Sequence, residues 1–398
     1  MRAAKSPRYL LLVIVLSQVA GTSLWFAGNA VINEIQQQTG RHTSAAYLTS
    51  IIQIGFICGT AVFSYLAIAD RYRSATVFAL SSLLAALANL SLIWLAKDAF
   101  NLSALRFITG FFLAGIYPIG MKIAAEQFPE GLGNVMGFLV GALVLGTALP
   151  HGLRAIFETI SWKWVIITTS LLALIGGALI YFLIPPDKSH KKWTKLERVG
   201  LGKIFRAADF RAVAIGYFGH MWELYAFWAF VPFIIQTHNQ KQLATLPIPI
   251  TAFLVIAFGS ICCVIGGMLS NHFSSKSVAF VTLLISGACC LISPFAFTFS
   301  PSLFVVFLLI WSGAVITDSP QFSTLVAQTA DLRWRGTALT LVTSVGFTIT
   351  IVSIQVLQML KARLGIYTFL LLAPGPLVGL LFFRSFRASN YSNNIGKC

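Results

Sequence analysis

Apolar runs of about 20 residues alternate along the chain with short polar connections, and almost every charge falls in the connections. Twelve such runs are readable, over about 9–30, 45–68, 75–96, 102–124, 134–156, 163–184, 211–235, 250–270, 277–298, 302–324, 337–359 and 366–383. We call them spans 1 to 12. A helix needs about 20 apolar residues to cross the hydrocarbon core of a bilayer. In lipid, only helices and closed barrels satisfy their own backbone hydrogen bonds. The pattern predicts an all-α membrane protein with 12 transmembrane helices.

Composition agrees. The chain is 57% hydrophobic and 10% charged, against roughly 25% charged in soluble domains. The net charge of +16 suggests nucleic acid in a soluble protein, but topology explains it here. With the N-terminus inside, about 20 of the 28 Lys and Arg fall on the cytoplasmic side, which is the positive-inside bias. Both termini are therefore expected in the cytoplasm. No nucleic-acid partner is expected, and the densest basic cluster, between Lys188 and Arg211, can also meet anionic lipid. A cleaved signal peptide is rejected, because span 1 is too long for the apolar core of one. The six cysteines show no metal or redox spacing.

The longest polar connection runs over about 185–210 and divides six spans from six. The halves echo each other at a shift of 203 residues. Trp25 meets Trp228, Gly110 meets Gly313 and Gly133 meets Gly336. A common offset in three places points to a duplicated six-helix unit. The expected organisation is an N-terminal six-helix bundle (1–185), a cytoplasmic linker (186–209) and a C-terminal six-helix bundle with a short tail (210–398).

At this point the chain resembles the major facilitator superfamily of secondary transporters, over nearly its whole length. Ala69-Asp70-Arg71-Tyr72-Arg73 after span 2 is similar to that family's G-x-x-x-D-R-x-G-R signature, with Leu66 and Arg73 standing where glycines are usual. The matching connection after span 8 keeps Gly267, Leu269 and Lys276, with Asn271 in the aspartate slot. Arg106-x-x-x-Gly110 and Ser161-Trp162-Lys163-Trp164 also resemble family signatures. A narrower resemblance, to a bacterial branch grouped with nitrate, nitrite and cyanate porters, rests on Gly216 to Tyr225 and Val140 to His151. Nitrate porters carry arginines in spans 2 and 8, and these spans hold none here, which argues against nitrate. The resemblance implies two pseudo-symmetric bundles, alternating access, and a multi-pass monomer in a bacterial inner membrane. It also implies that spans 1, 4, 7 and 10 line a central cavity.

The charges inside the spans carry the functional reading, since ionisable residues in lipid are costly. Glu223 and His220 are three apart in span 7 and share a helix face. A carboxylate and an imidazole so placed can load and release a proton. The bland alternative makes Glu223 a structural tie to a neighbouring helix. Asp318, two residues before Pro320, lies where a proline frees backbone carbonyls, and it joins the proton-coupling candidates. Arg106 in span 4 can hold an anion as a fork, or else pair within the bundle with an acid or with carbonyl groups. With it as substrate-binding candidates stand Trp25, Asn29, Tyr117, Trp222, Tyr225 and Trp228. Asp70, Arg71, Arg73 and Asn271 are gating candidates. Arg154, toward the outer end of span 5, can hold an anion in the same way, but snorkelling to the membrane surface is the favoured reading. Gln53, Gln355 and Gln358 are weaker candidates, and Gly55, Gly59, Gly137, Gly141 and Gly146 suit close helix contact.

Nothing resembles a nucleotide loop, a metal cluster or a hydrolase triad, so the expectation is no enzyme, no cofactor and no metal. The favoured reading is proton-coupled transport of a small organic anion across the inner membrane. The alternatives are a drug/proton antiporter exporting lipophilic cations and, last, a receptor or scaffold. The antiporter reading is weakened because Gly146-Thr147-Ala148-Leu149-Pro150 lacks a Gly-Pro pair.

Overall fold

The computed structural model describes residues 8–39, 44–128, 132–185, 205–330 and 335–384. Among them every regular element is helical. Spans 2 to 7 are Ala45–Tyr65, Ser74–Leu95, Ala99–Gln127, Leu132–Ile156, Lys163–Leu183 and Ala208–Gln242. Ile248–Ala296 is a helical stretch of 49 residues, about 73 Å at 1.5 Å per residue, against about 30 Å of hydrocarbon. It is two spans, 8 and 9, parted at Ser274, whose φ of 69° and ψ of 148° are not helical. Span 10 is Pro301–Thr329. Span 11 is Arg335–Leu364, and span 12 joins the 3₁₀ turn Gly365–Leu372 to Pro374–Phe383. Span 1 begins at Arg8. The twelve predicted spans are present, and the linker expected at 186–209 lies, up to residue 204, outside the described residues.

The spans differ from the sequence expectation mainly in being broken. Span 1 consists of Arg8–Thr22, Ala27–Ala30 and Ile32–Thr39, extending well past residue 30. The cause is local. Thr22 Oγ1 donates to the Gln18 carbonyl at 2.7 Å and Ser23 Oγ to the Ala20 carbonyl at 2.7 Å, and such back-bonding competes with the backbone ladder. Spans 4 and 10 are interrupted around Gly115 and Asp318, positions that correspond at the 203 shift, just before Pro118 and Pro320. A proline supplies no N–H, so the carbonyl one turn earlier loses its partner.

Lipid gives no hydrophobic drive between helices, so close packing and polar clips must hold them. Span 2 crosses span 4 with backbones touching. A Cβ on Gly110 would overlap the Ile52 carbonyl, and one on Gly55 the Phe107 carbonyl. Among the described residues, two helix crossings carry most of the contact between the halves. Span 5 lies on span 8, where Gly141 and Gly137 face the Ser260 and Cys263 carbonyls. Span 2 lies on span 11, where Thr350 Oγ1 donates to Gln53 Oε1 at 2.9 Å and Gln355 Nε2 to Ser50 Oγ at 2.7 Å. Gly59 and Gly146 also sit at crossings, against span 4 and span 1. Outward positions such as Leu80, Ile175, Leu254, Phe295 and Leu381 are apolar and exposed, as a lipid-facing surface requires.

Candidate functional site

A cavity of about 470 Å³ opens between the halves on the face that carries the 1–2, 7–8 and 11–12 connections. Its walls come from spans 1, 2 and 5 on one side and spans 7, 8 and 11 on the other. Asn29, Asn33, Glu34, Gln36, His151 and Arg154 face Gln236, Gln358 and Lys361. Trp228 and Phe26 are its deepest lining side chains, both almost fully buried.

Below it the path is shut by rings. Trp25 lies 5.0 Å from Phe56 and 5.6 Å from Tyr225, Phe347 lies 4.8 Å from Phe56, and Tyr225 lies 5.2 Å from Trp228. The ring plug takes members from both halves, spans 1, 2, 7 and 11, and every member is buried. The indole N–H groups of Trp25 and Trp228, partners at the 203 shift, have no hydrogen-bond acceptor. On the opposite face Asn271 Nδ2 donates to Asn134 Oδ1 at 2.9 Å, tying the end of span 8 to the start of span 5.

The sequence candidates divide between the cavity, the plug and the packed interior. Asn29 and Trp228 line the cavity; Trp25 and Tyr225 belong to the plug beneath it. Asn29 Nδ2 bonds Thr49 Oγ1 at 2.7 Å and its Oδ1 is unpartnered. Arg106 does not line the cavity. It is fully buried and donates to the Leu24 and Trp25 carbonyls freed by the break in span 1, and to Asn89 Oδ1. Asn89 in turn donates to Ser170 Oγ at 3.0 Å. This is the carbonyl-bonding alternative for Arg106. Trp222 donates to the Leu371 carbonyl at 2.9 Å and so braces span 12. Tyr117 is half-buried and packs against the core at the break in span 4.

Glu223 and His220 share a face but not a bond. The Glu223 carboxylate, fully buried, accepts from Ser286 Oγ, from Trp311 Nε1 at 2.5 Å and from Cys290 Sγ at 3.2 Å, which ties span 7 to spans 9 and 10. His220 Nδ1 lies 2.8 Å from Asp318 Oδ1, an ion-pair distance without the alignment of a linear hydrogen bond. Both are buried, Asp318 at the break in span 10. The three titratable groups form a seam inside the C-terminal half, away from the cavity.

Among the gating candidates, the Asp70 side chain lies outside the described residues, and Arg71 is exposed. Arg73 Nη2 donates to the Ile184 carbonyl at 2.7 Å and to that of Tyr181 at 3.3 Å. It caps the C-terminus of span 6, where carbonyls lack partners and cations are favoured. Asn271 reaches the other half through Asn134. A cysteine pair at 134 and 271, in a background without the native cysteines, is expected to arrest transport when bridged by a short bis-methanethiosulfonate reagent. Reduction should restore it, and transport that continues through the bridge would remove this contact from the gate.

Sequence reasoning missed Glu34 and Lys361 and misplaced Arg154. Arg154 does not snorkel. Its Nε donates to Glu34 Oε1 at 2.7 Å, and both residues face the cavity. The signal available in the sequence was charge immediately beyond an apolar run.

Comparisons with known proteins bear on this geometry. The Major Facilitator Superfamily model matches residues 10–354. The D-galactonate transporter of Escherichia coli O6:H1 strain CFT073 is 31% identical over 104 residues, 26% of this chain and 24% of that protein. An uncharacterized transporter of Schizosaccharomyces pombe is 23% identical over 218 residues, 46% of this chain and 42% of that one. The chain therefore spans less than half the length of these relatives. The solved structure of the proton:xylose symporter XylE bound to 6-bromo-6-deoxy-D-glucose superposes with a TM-score of 0.75 at 14% identity, covering 95% of each chain.

Proposed function

This chain belongs to the Major Facilitator Superfamily and is a multi-pass membrane transporter, and on that premise we propose that it carries a small organic anion by alternating access, coupled to protons. The observation that carries the reading is the charge of the cavity. Two cations, Arg154 and Lys361, and the imidazole of His151 face one carboxylate, Glu34, among amide side chains. A wall of that composition favours a negative, hydroxylated solute over a lipophilic cation. Its volume of about 470 Å³ falls among small-molecule sites, which span about 300–1,000 Å³. The partial likeness to a D-galactonate transporter supports a sugar-acid class of substrate.

In this reading the cavity faces outward in a bacterial inner membrane, with both termini cytoplasmic, and the structure is the outward-open state. Substrate loads onto Asn29 and Trp228, above the plug. The halves, 1–185 and 210–398, then rock about the 2–11 and 5–8 crossings, closing the open face and parting Asn134 from Asn271. Glu223, with the His220–Asp318 pair, carries the proton. The likeness to a proton:xylose symporter supports coupling of that kind. The carrier works as a monomer.

The test is internal pH and charge movement in proteoliposomes, on adding a panel of organic anions and lipophilic cations. Anion-triggered proton uptake is the expected result. Proton exit driven by cations would move the protein to the drug-antiporter reading.

A further inference from the structure

The two cations of the cavity are held in different ways. Arg154, on span 5, is engaged by Glu34 through its Nε at 2.7 Å and through Nη2. Its charge is largely neutralised, although Nη1 has no hydrogen-bond partner. Lys361 enters from span 11, in the other half. Its ammonium lies 4.9 Å from the centre of the Phe233 ring and 5.9 Å from that of Phe230. Among the described residues no carboxylate comes within ion-pair distance of it. Aromatic faces attract a cation without cancelling its charge. Lys361 is therefore the cavity's net positive centre, held in place and left without a counter-ion.

We propose that Lys361 receives the carboxylate of the substrate, and that the bound anion then bridges Lys361 to Arg154 across the two halves. The proposal rests on the reading of the cavity as an organic-anion site. Glu34 repels an incoming carboxylate from the Arg154 wall, so the anion docks first on the Lys361 wall. Its second oxygen then competes with Glu34 for the guanidinium, whose fork can serve two acceptors. Because the two cations belong to opposite halves, a shared anion draws span 11 toward span 5. Binding is thereby made to favour closure. The bland account of Lys361 is a lysine that lays its stem on apolar surface and keeps its head in water.

Binding to the purified full-length protein separates these. The probes are D-galactonate, D-gluconate and L-lactate, with D-galactose as the uncharged analogue, measured by calorimetry on wild type, Lys361→Met, Lys361→Arg and Glu34→Gln. Lys361→Met is expected to weaken binding of the acids by about tenfold or more, the scale of one charge-assisted contact. Any affinity for the neutral sugar should be unchanged, and Lys361→Arg should restore the acids. Glu34→Gln should tighten them, since it frees Arg154; an interfacial lysine and a purely structural ion pair predict no such gain. Wild-type binding of an acid that Lys361→Met leaves intact would overturn the assignment while sparing the anion reading. Wild type that binds none of the three acids would overturn both. If Lys361→Met melts early, the Lys361→Arg and Glu34→Gln arms decide, and no gain in Glu34→Gln removes the bridge.

Discussion

Replacing Glu223 with glutamine is expected to abolish proton-driven accumulation, down to the level of protein-free vesicles, and to leave the fold intact. The reason lies in its three donors. Trp311 Nε1 and Cys290 Sγ both address Oε1, whereas Ser286 Oγ addresses Oε2. An indole N–H can only donate, but a hydroxyl can donate or accept. A proton on Oε2 is therefore accommodated by rotating the Ser286 hydroxyl, with the bonds at Oε1 undisturbed. Glutamine reproduces that protonated arrangement, an acceptor toward Trp311 and a donor toward Ser286, and fixes it. Energetically downhill exchange of substrate should survive, because it needs no change of protonation. Glu223→Ala is a different experiment. It strands three buried donors and should lower stability by about 3 kcal/mol. Exchange and proton-driven uptake measured side by side check this. Accumulation that persists in Glu223→Gln would leave the residue as a structural tie only.

The second large effect is expected at Gly110. Valine there should leave little folded protein in the membrane. The clash is with the Ile52 carbonyl of span 2, which is backbone and cannot turn aside. Overpacking a core that can adjust costs about 1–3 kcal/mol, and this crossing cannot adjust without separating spans 2 and 4. Span 2 also carries Gln53 and Ser50, which bond to span 11, so the damage reaches the joint between the halves. Yield of monodisperse protein and its melting temperature in detergent give the readout. Serine at Gly137, where a Cβ would stand 3.3 Å from the Cys263 carbonyl, is the milder control.

The apolar periodicity revealed the twelve spans because lipid demands an unbroken run of nonpolar surface wherever a helix meets it. The same rule hides the cavity. Its wall is polar, so hydropathy falls where the wall begins. Glu34 lies just beyond the expected end of span 1 at residue 30, and Lys361 just beyond that of span 11 at residue 359. Both read as connection residues although both belong to helices. Asn29 and Trp228 were legible because they fall inside apolar runs, where a polar or amphipathic group stands out. The partners of His220 and Glu223 were not. Spacing along a helix says which residues share a face, but the partner is chosen by whichever helix packs there. For His220 that is the break in span 10, and for Glu223 it is Ser286, Cys290 and Trp311.

The break in span 1 has a mechanical consequence. Arg106 pins the Leu24 and Trp25 carbonyls from span 4, so the break is a pivot with a fixed bearing. The segment beyond it, Ala27–Ala30 followed by Ile32–Thr39, acts as a lever, and from Ala27 to Glu34 it measures about 10.5 Å at 1.5 Å per residue. Tilting it by about 15° would carry the Glu34 carboxylate about 3 Å, an arc that follows from that length. That distance suffices to lift Glu34 off Arg154 while Arg8–Thr22 stays packed in its bundle. A small rotation inside one helix can thus change which charge the cavity presents, before either half has moved as a body.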